Sequence, residues 1–298
     1  MQPNVKDRNH KPVIVLGMHR SGTSLLAELV HRWGAYAGPP HNLTPGDQWN
    51  ARGYWEFTPL VVFNQKLLRA VDSHGWRPPA DQAEGVLMEY AESGPFRDQA
   101  LQLLEQMSES GQTWLWKDPR LAVLLPFWRR LWGEVVYVIP VRNPLEVANS
   151  LVSRDRGASL SAALLLWQRY MTSILRLTSG DRSRLFIEYE SLVLDSKQQV
   201  FRLCAFLNNH VHIEGNDVLN VLGAVDAALR RHELKREDVQ ASNSLIHVQK
   251  ELYEALRRLV CDSEAQIPAT SLLLPENWRA YLGDPRKAIT YPEGEGIG

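Results

Sequence analysis

The sequence predicts an α/β fold: a parallel β-sheet flanked by helices on both faces, with an additional helical region toward its C-terminal end. Three observations carry that prediction. Short apolar runs alternate with amphipathic helical patterns, the arrangement of strand–helix–strand units. The first run, Val13–Leu16, passes through Gly17 and Gly22 into a leucine-rich helical pattern. Each strand candidate ends in charged or reactive residues, as expected where a ligand crevice lies outside the carboxyl ends of parallel strands.

Taken in order, the strand candidates are Val13–Leu16, Thr113–Trp116, Val135–Val141 and Leu185–Glu188. Helical periodicity is present over Ser21–Trp33, Phe96–Met107, Leu160–Leu177 and Gln198–Leu207. Asn143-Pro144 reads as a helix start, with Asn143 as N-cap and Pro144 in the first helical position. Residues 34–85 read as irregular, rich in Gly, Pro, Trp and Asn; a loop region of that length is more often functional than idle. Residues 1–11 and 284–298 read as tails. Between them, residues 12–283 read as a single α/β domain, with 210–283 as its helical extension.

Composition narrows the function. The chain has 298 residues, 44% of them apolar, and a formal net charge of -1. A full core is available, but the overall basic footprint of a nucleic-acid binder is not, so anion sites must be local. The two cysteines, Cys204 and Cys261, fall in helical patterns and are expected to be packed thiols rather than a disulfide. No metal-ligand spacing, signal-peptide core or membrane-length apolar run is present, and a cytoplasmic protein is expected.

Gly17-Met18-His19-Arg20-Ser21-Gly22-Thr23-Ser24 carries the clearest chemistry. Its glycines let backbone N–H groups converge on an anion, and the helix that follows adds free donors and the positive end of its dipole. The spacing from Gly17 to Gly22 is that of a P-loop, yet Thr23 stands where a nucleoside triphosphatase carries lysine. The cation lies inside the loop instead, at Arg20. The other strand candidates end in Lys117-Asp118-Pro119-Arg120, in Arg142-Asn143-Pro144 and in Glu188-Tyr189-Glu190. Topology therefore gathers Arg20, Lys117, Arg142 and Tyr189 around one cleft.

These residues resemble the sulfotransferases that use 3′-phosphoadenosine 5′-phosphosulfate (PAPS), in particular a bacterial branch related to carbohydrate and protein-tyrosine sulfotransferases. The resemblance spans residues 12–208. The Gly17–Ser24 loop is similar to the family's 5′-phosphosulfate loop, although many cytosolic members have lysine in place of Arg20. Arg142 and Ser150, in VRNPLEVANS, resemble its 3′-phosphate motif. Lys117-Asp118-Pro119 resembles the lysine-bearing strand end of the tyrosine-sulfating branch, and Tyr189-Glu190 its downstream Tyr-Glu motif.

The resemblance implies in-line transfer of a sulfuryl group from PAPS to a hydroxyl or amine, releasing adenosine 3′,5′-bisphosphate (PAP), with no metal required. It implies that His19, Arg20, Ser21, Gly22, Thr23, Ser24, Arg142, Ser150 and Tyr189 bind the nucleotide. Arg20 and Lys117 would stabilise developing negative charge, and Glu56, flanked by aromatic residues, would be the general base, with His41 and His19 as rivals. The acceptor stays open among carbohydrate, lipid, phenol or other small molecule, and peptide; Trp49, Trp55, Trp76, Trp114 and Trp116, whose rings are suited to stacking on sugars, slightly favour a glycan or glycolipid. Leu229-Arg230-Arg231-His232 either reaches the phosphates or forms a solvated helix end. The competing readings are an ATP-dependent P-loop phosphotransferase and a non-catalytic PAP-binding protein.

Overall fold

Val13-Ile14-Val15 is β-branched throughout and fully buried, which suits a central strand covered on both sides. In the computed structural model, which describes residues 11–73, 75, 77–154, 158–213, 217–226, 234–275 and 278–282, this segment is β1 (Val13–Val15). It pairs in parallel with β2 (Leu115–Lys117) on one side and β3 (Val136–Val141) on the other; β4 (Arg184–Glu188) extends the sheet, in the order β2-β1-β3-β4. Val15 stands opposite both Lys117 and Val138, so the carboxyl ends of the strands lie level with the start of the glycine loop.

The two-residue period of the strands sorts their side chains into two cores. Ile14, Leu16, Trp116, Tyr137, Ile139 and Phe186 enter one, and Val13, Val15, Leu115, Val136, Val138 and Leu185 the other. The second core is covered by α1 (Thr23–Arg32) and α9 (Ser196–His210). The first is larger and is covered by α2 (Thr58–Ala70), α3 (Ala83–Glu92), α4 (Pro95–Ser108), α5 (Leu121–Trp128), α6 (Pro144–Arg154) and α7 (Leu160–Thr178). Every residue of α5 is buried, and Trp128 packs edge-on against Trp116 with ring centroids 4.5 Å apart. After β4 the short α8 (Tyr189–Leu194) precedes α9, and α10 (Val218–Leu222), α11 (Arg236–Ala241) and α12 (His247–Cys261) follow.

The four strands and the four periodic helical segments form where the sequence pattern placed them, with small shifts at the ends. α1 begins at Thr23 rather than Ser21, because Arg20 (φ 70°) and Gly22 (φ 98°) hold left-handed backbone conformations that a helix excludes. Residues 34–85 are not irregular throughout: Thr58–Ala70 is a helix opened by Pro59, with Leu60, Phe63, Asn64, Leu67 and Leu68 buried. Cys204 is a buried thiol as expected, but Cys261 is exposed at the end of α12; both are free. The edge of β2 is sealed by the chain leaving α1, where Tyr36 N–H donates to Thr113 O (2.9 Å) and Leu115 N–H to Tyr36 O (2.7 Å). Among the described residues, no helix is long and apolar enough to cross a membrane.

Gly17 follows the first strand in a place where a side chain has no room. A Cβ there would lie 2.7 Å from Thr23 Cγ2 and 2.9 Å from both Pro140 Cγ and Ser21 Oγ. Gly17→Ala is expected to lower unfolding free energy by about 1–3 kcal/mol, the usual cost of overpacking. Gly85→Ala, in an exposed helical position with open space around it, is expected to raise it by roughly 0.5–1 kcal/mol. Urea titration of the two variants checks both signs.

Candidate active site

The loop after β1 is built to leave donors open. Ser21 Oγ donates to Met18 O at 2.5 Å, tying the turn to itself, and Leu26 N–H donates back to Gly22 O at 3.1 Å as α1 begins. The first turn of α1 has no acidic residue, and no side chain caps it. Its early N–H groups and dipole therefore face the loop uncompensated. Gly22 is required twice over: its φ of 98° strains any other residue, and a Cβ would lie 2.4 Å from the Tyr189 ring. Thr23 is buried and Ser24 half-buried at the helix start.

Arg142, at the end of β3, meets this loop directly. Its Nη1 donates to the carbonyl of Arg20 at 2.9 Å, and the Tyr189 ring lies against its guanidinium at 4.2 Å. Arg20 in turn donates from Nε to Ser150 Oγ at 2.9 Å, across 130 residues of sequence. The two motifs assigned to opposite ends of a nucleotide thus touch through Arg20. Asn143 caps α6 as expected, its Oδ1 accepting from Leu145 N–H at 3.0 Å. Glu146, one turn into α6, accepts from Arg142 Nε (3.0 Å) and Nη2 (2.8 Å) and is completely buried. The sequence reading did not single out Glu146; its signal was the i,i+4 spacing from Arg142.

At the other end of the sheet's carboxyl edge, Lys117 Nζ donates to Glu56 Oε1 at 2.5 Å. Both side chains are buried, and the Tyr54 ring lies 5.6 Å from the ammonium. Burial pushes the Glu56 carboxyl above the ordinary carboxylate range, with Lys117 pulling the other way. The turn after Lys117 is fixed from beneath. Asp118 accepts from Arg120 N–H and Nη1 (2.9 Å each) and from Asn64 Nδ2 (2.8 Å), and Asn64 Oδ1 accepts from Trp128 Nε1 at 2.9 Å. Above, Tyr54 OH donates to Asp47 Oδ2 at 2.7 Å and accepts from Arg154 Nη1 at 3.2 Å. Burial and the Asp47 carboxylate push the Tyr54 phenol up to about 12, so it stays a donor. Asn64, Asp118, Arg120, Tyr54 and Asp47 were not among the predicted site residues.

The two histidines separate. His19 is buried beside the Tyr170 ring (5.9 Å, edge-on). Burial, reinforced by the positive charge of Arg20, Arg154 and Arg120, holds it well below the usual imidazole value. His41 is exposed on a 3₁₀ turn, Pro40–Asn42, and makes no hydrogen bond to Glu56, Lys117 or the loop. Trp114 and Trp116 belong to the core rather than to an acceptor surface. Trp55 is half-buried against His31, with ring centroids 4.7 Å apart, and Trp49 is half-buried. Trp76 and Leu229–His232 lie outside the described residues. A cavity of about 350 Å³ beside Arg129, Tyr137 and Asp181 opens at the amino end of β3 and β4. None of the predicted site residues lines it, and Arg129 is already ion-paired with Asp181 there.

Comparison with known proteins places the chain in a family. Residues 12–212 match the model of the sulfotransferase family, from the strand before the glycine loop to the end of α9. The chain belongs to the sulfotransferase family. It is therefore an enzyme of PAPS-dependent sulfuryl transfer. Similar solved structures include the sulfotransferase domain from the curacin biosynthetic pathway, at 16% identity, a TM-score of 0.49, and coverage of 88% of this chain and 100% of that one. The sulfotransferase domain from the Synechococcus PCC 7002 olefin synthase is similar at 18% identity and a TM-score of 0.47, covering 95% and 98%. Retinol dehydratase in complex with androsterone and inactive cofactor PAP is similar at 16% identity and a TM-score of 0.37, covering 95% and 80%. No curated protein matches the chain in sequence.

The raised affinity of Glu56 for a proton has a defined sign. The folded state binds that proton more tightly than the unfolded chain, so the stabilisation is complete below the unfolded carboxyl's pKa and is lost as pH rises through the folded value. The stability of the wild-type protein relative to Glu56→Gln is therefore expected to fall between about pH 4 and the folded pKa of Glu56. Denaturant titrations of both proteins across that range check the slope.

Proposed function

We propose that this sulfotransferase moves the sulfuryl group of PAPS onto a hydroxyl acceptor, with Glu56 as general base and Lys117 as the stabiliser of developing charge. The observation that carries this reading is the buried Lys117–Glu56 ion pair, 2.5 Å long, beside the start of an uncompensated phosphate loop.

The residues fit such a donor. The loop from Gly17 to Ser24, with Arg20 and the open first turn of α1, suits the 5′-phosphosulfate. Arg142 and Ser150, joined through Arg20, suit the 3′-phosphate. Tyr189 acts as a spacer, filling the space beside Gly22 and supporting the face of Arg142. PAPS supplies the sulfuryl group and leaves as PAP.

The chain's own part is proton and charge management. Glu56 takes the acceptor's proton; its raised proton affinity in a desolvated site suits that task better than an ordinary surface carboxylate would. Once protonated, Glu56 no longer neutralises Lys117, whose ammonium is then free to meet negative charge growing on the transferred group and the leaving oxygen. Arg20 and the loop N–H groups meet the same charge at the phosphate. His19, kept neutral, adds no further positive charge to the loop and is a weaker candidate for the base because it is walled in by the Tyr170 ring. The Tyr54–Asp47–Arg154 contacts cover Lys117 on the acceptor side, so the hydroxyl acceptor would approach past this group. With Trp114 and Trp116 in the core, stacking on a sugar would fall to Trp49 and Trp55.

PAP is expected to raise the melting temperature more than AMP or ADP, with no added metal, because a ligand that binds the native state stabilises it. Stabilisation by magnesium-ATP but not by PAP would instead favour the phosphotransferase reading.

Glu56→Gln keeps shape and removes the proton acceptor. Single-turnover transfer to an acceptor is expected to fall about 10²–10⁴-fold. Lys117→Met is expected to cost on the order of 10²–10³-fold. PAP affinity, measured on the same proteins by calorimetry, is expected to stay near wild type in both. Loss of PAP binding in Lys117→Met would make that residue a nucleotide ligand instead.

A further inference from the structure

We propose that Glu146 is a positioning residue for recognition of the 3′-phosphate, and that it ties the chain at Leu234–Lys235 to occupancy of that site. This rests on the reading that Arg142 contacts the 3′-phosphate.

An arginine has five N–H donors in one plane. In Arg142, Nε and one N–H of Nη2 go to Glu146, and one N–H of Nη1 goes to the carbonyl of Arg20. Among the described residues no partner takes the other two donors, one on each terminal nitrogen, which is the number a bidentate phosphate contact uses. The guanidinium cannot turn to offer others, because the carboxylate holds its edge and the Tyr189 ring supports its face at 4.2 Å. Glu146 thereby decides which donors of Arg142 are left for a ligand.

The second oxygen of Glu146 makes the other half of the case. Neutralising a buried arginine needs only Oε2. Oε1 instead accepts from the backbone N–H of Leu234 at 2.8 Å. Beside it, Asn143 Nδ2 donates to Lys235 O at 3.2 Å. A remote stretch of chain, 88 residues further on, is thus fastened to the first turn of α6 by the same carboxylate that aims Arg142. Glu146 is completely buried, so neither bond can be exchanged for water without movement. A phosphate on the two open donors of Arg142 adds a further hold on a guanidinium that Glu146 and Tyr189 already orient, and through the shared carboxylate it adds a hold on the Leu234 amide.

Calorimetry with PAP and with AMP, which lacks the 3′-phosphate, tests this on the full chain. Glu146→Gln is expected to weaken PAP about tenfold, the scale of one charge-assisted hydrogen bond, and to leave AMP unchanged. On an Arg142→Ala background the same change is expected to cost nothing further, since its effect passes through Arg142. Equal losses for PAP and AMP, or full additivity with Arg142→Ala, would overturn the proposal. If Arg142→Ala lowers PAP affinity selectively while Glu146→Gln does not, Glu146 alone is misassigned. If Arg142→Ala leaves the PAP-to-AMP ratio unchanged, the reading of Arg142 falls as well. Should Glu146→Gln not fold, hydrogen exchange of the wild-type protein decides. PAP, but not AMP, is expected to slow exchange of the Leu234 amide, and equal protection by both overturns the link.

Discussion

Two opposite charges held out of water, Lys117 and Glu56, set the terms for everything around them. Removing either leaves the other buried and alone, at a cost of about 3–5 kcal/mol. Such a pair is tolerable only where both ends are held rigidly. Lys117 is held because β2 delivers it and Asp118, clamped by Arg120 and Asn64, turns the chain away at once. Asn64 is itself fixed by the indole N–H of Trp128, in a helix buried on every side. Glu56 is held because Phe57 is buried beside it and packs at Gly38, where a Cβ would lie 2.8 Å from the ring. The all-apolar α5 and Asn64, the polar residue on the buried face of α2, thus serve the site as much as the core.

The sheet was legible because strands buried on both faces write themselves as apolar runs, and Val13–Val15 and Val136–Val141 do so. α1, α4, α7 and α9 were legible because each keeps one polar face. The same logic hid α5: Leu121–Trp128 has no polar face and therefore no period. α2 was hidden by the Gly-, Pro- and Asn-rich stretches around it. Within the site, each motif was legible as local chemistry, but the contacts between motifs were not. Glu56 and Lys117 are 61 residues apart, and Arg20 and Ser150 are 130 apart; spacing carries no information at such separations. The aromatic neighbours of Glu56 signalled desolvation correctly, yet nothing local announced that its partner would be Lys117. The tryptophans misled in the opposite direction. Trp114 and Trp116 alternate with strand residues, and being large and flat fits a core as well as it fits a sugar face.

A chain whose net charge is -1 still concentrates cations at one edge of its sheet. Arg20, Lys117, Arg120, Arg142 and Arg154 all approach it, and each of Lys117, Arg120, Arg142 and Arg154 has a carboxylate as counter-ion. The anion site is therefore not a pool of bare positive charge. Cations already balanced by directed ion pairs favour ligands matched in shape over any polyanion. Left-handed backbone at Arg20 and Gly22 belongs to the same economy: the strain, supported by Tyr189 and Arg142, keeps the donors aimed before a ligand arrives.

The segment that carries Glu56 is closed at its neck. Thr44 N–H donates to Glu56 O at 2.8 Å, Leu43 bridges Phe57 in antiparallel fashion, and Tyr54 N–H reaches back to Thr44 O at 3.4 Å. The chain between is a loop whose ends meet through main-chain hydrogen bonds. Lengthening such a loop costs little, because closure entropy grows only with the logarithm of its length. Its interior is anchored as well, since Arg52 pairs with Glu28 of α1 at 2.6 Å and Asp47 pairs with Arg154, so only length added between those anchors is cheap. On the proposed reading of Glu56, length added between those anchors would reshape the approach to the carboxylate while the sheet that delivers Lys117 stays as it is.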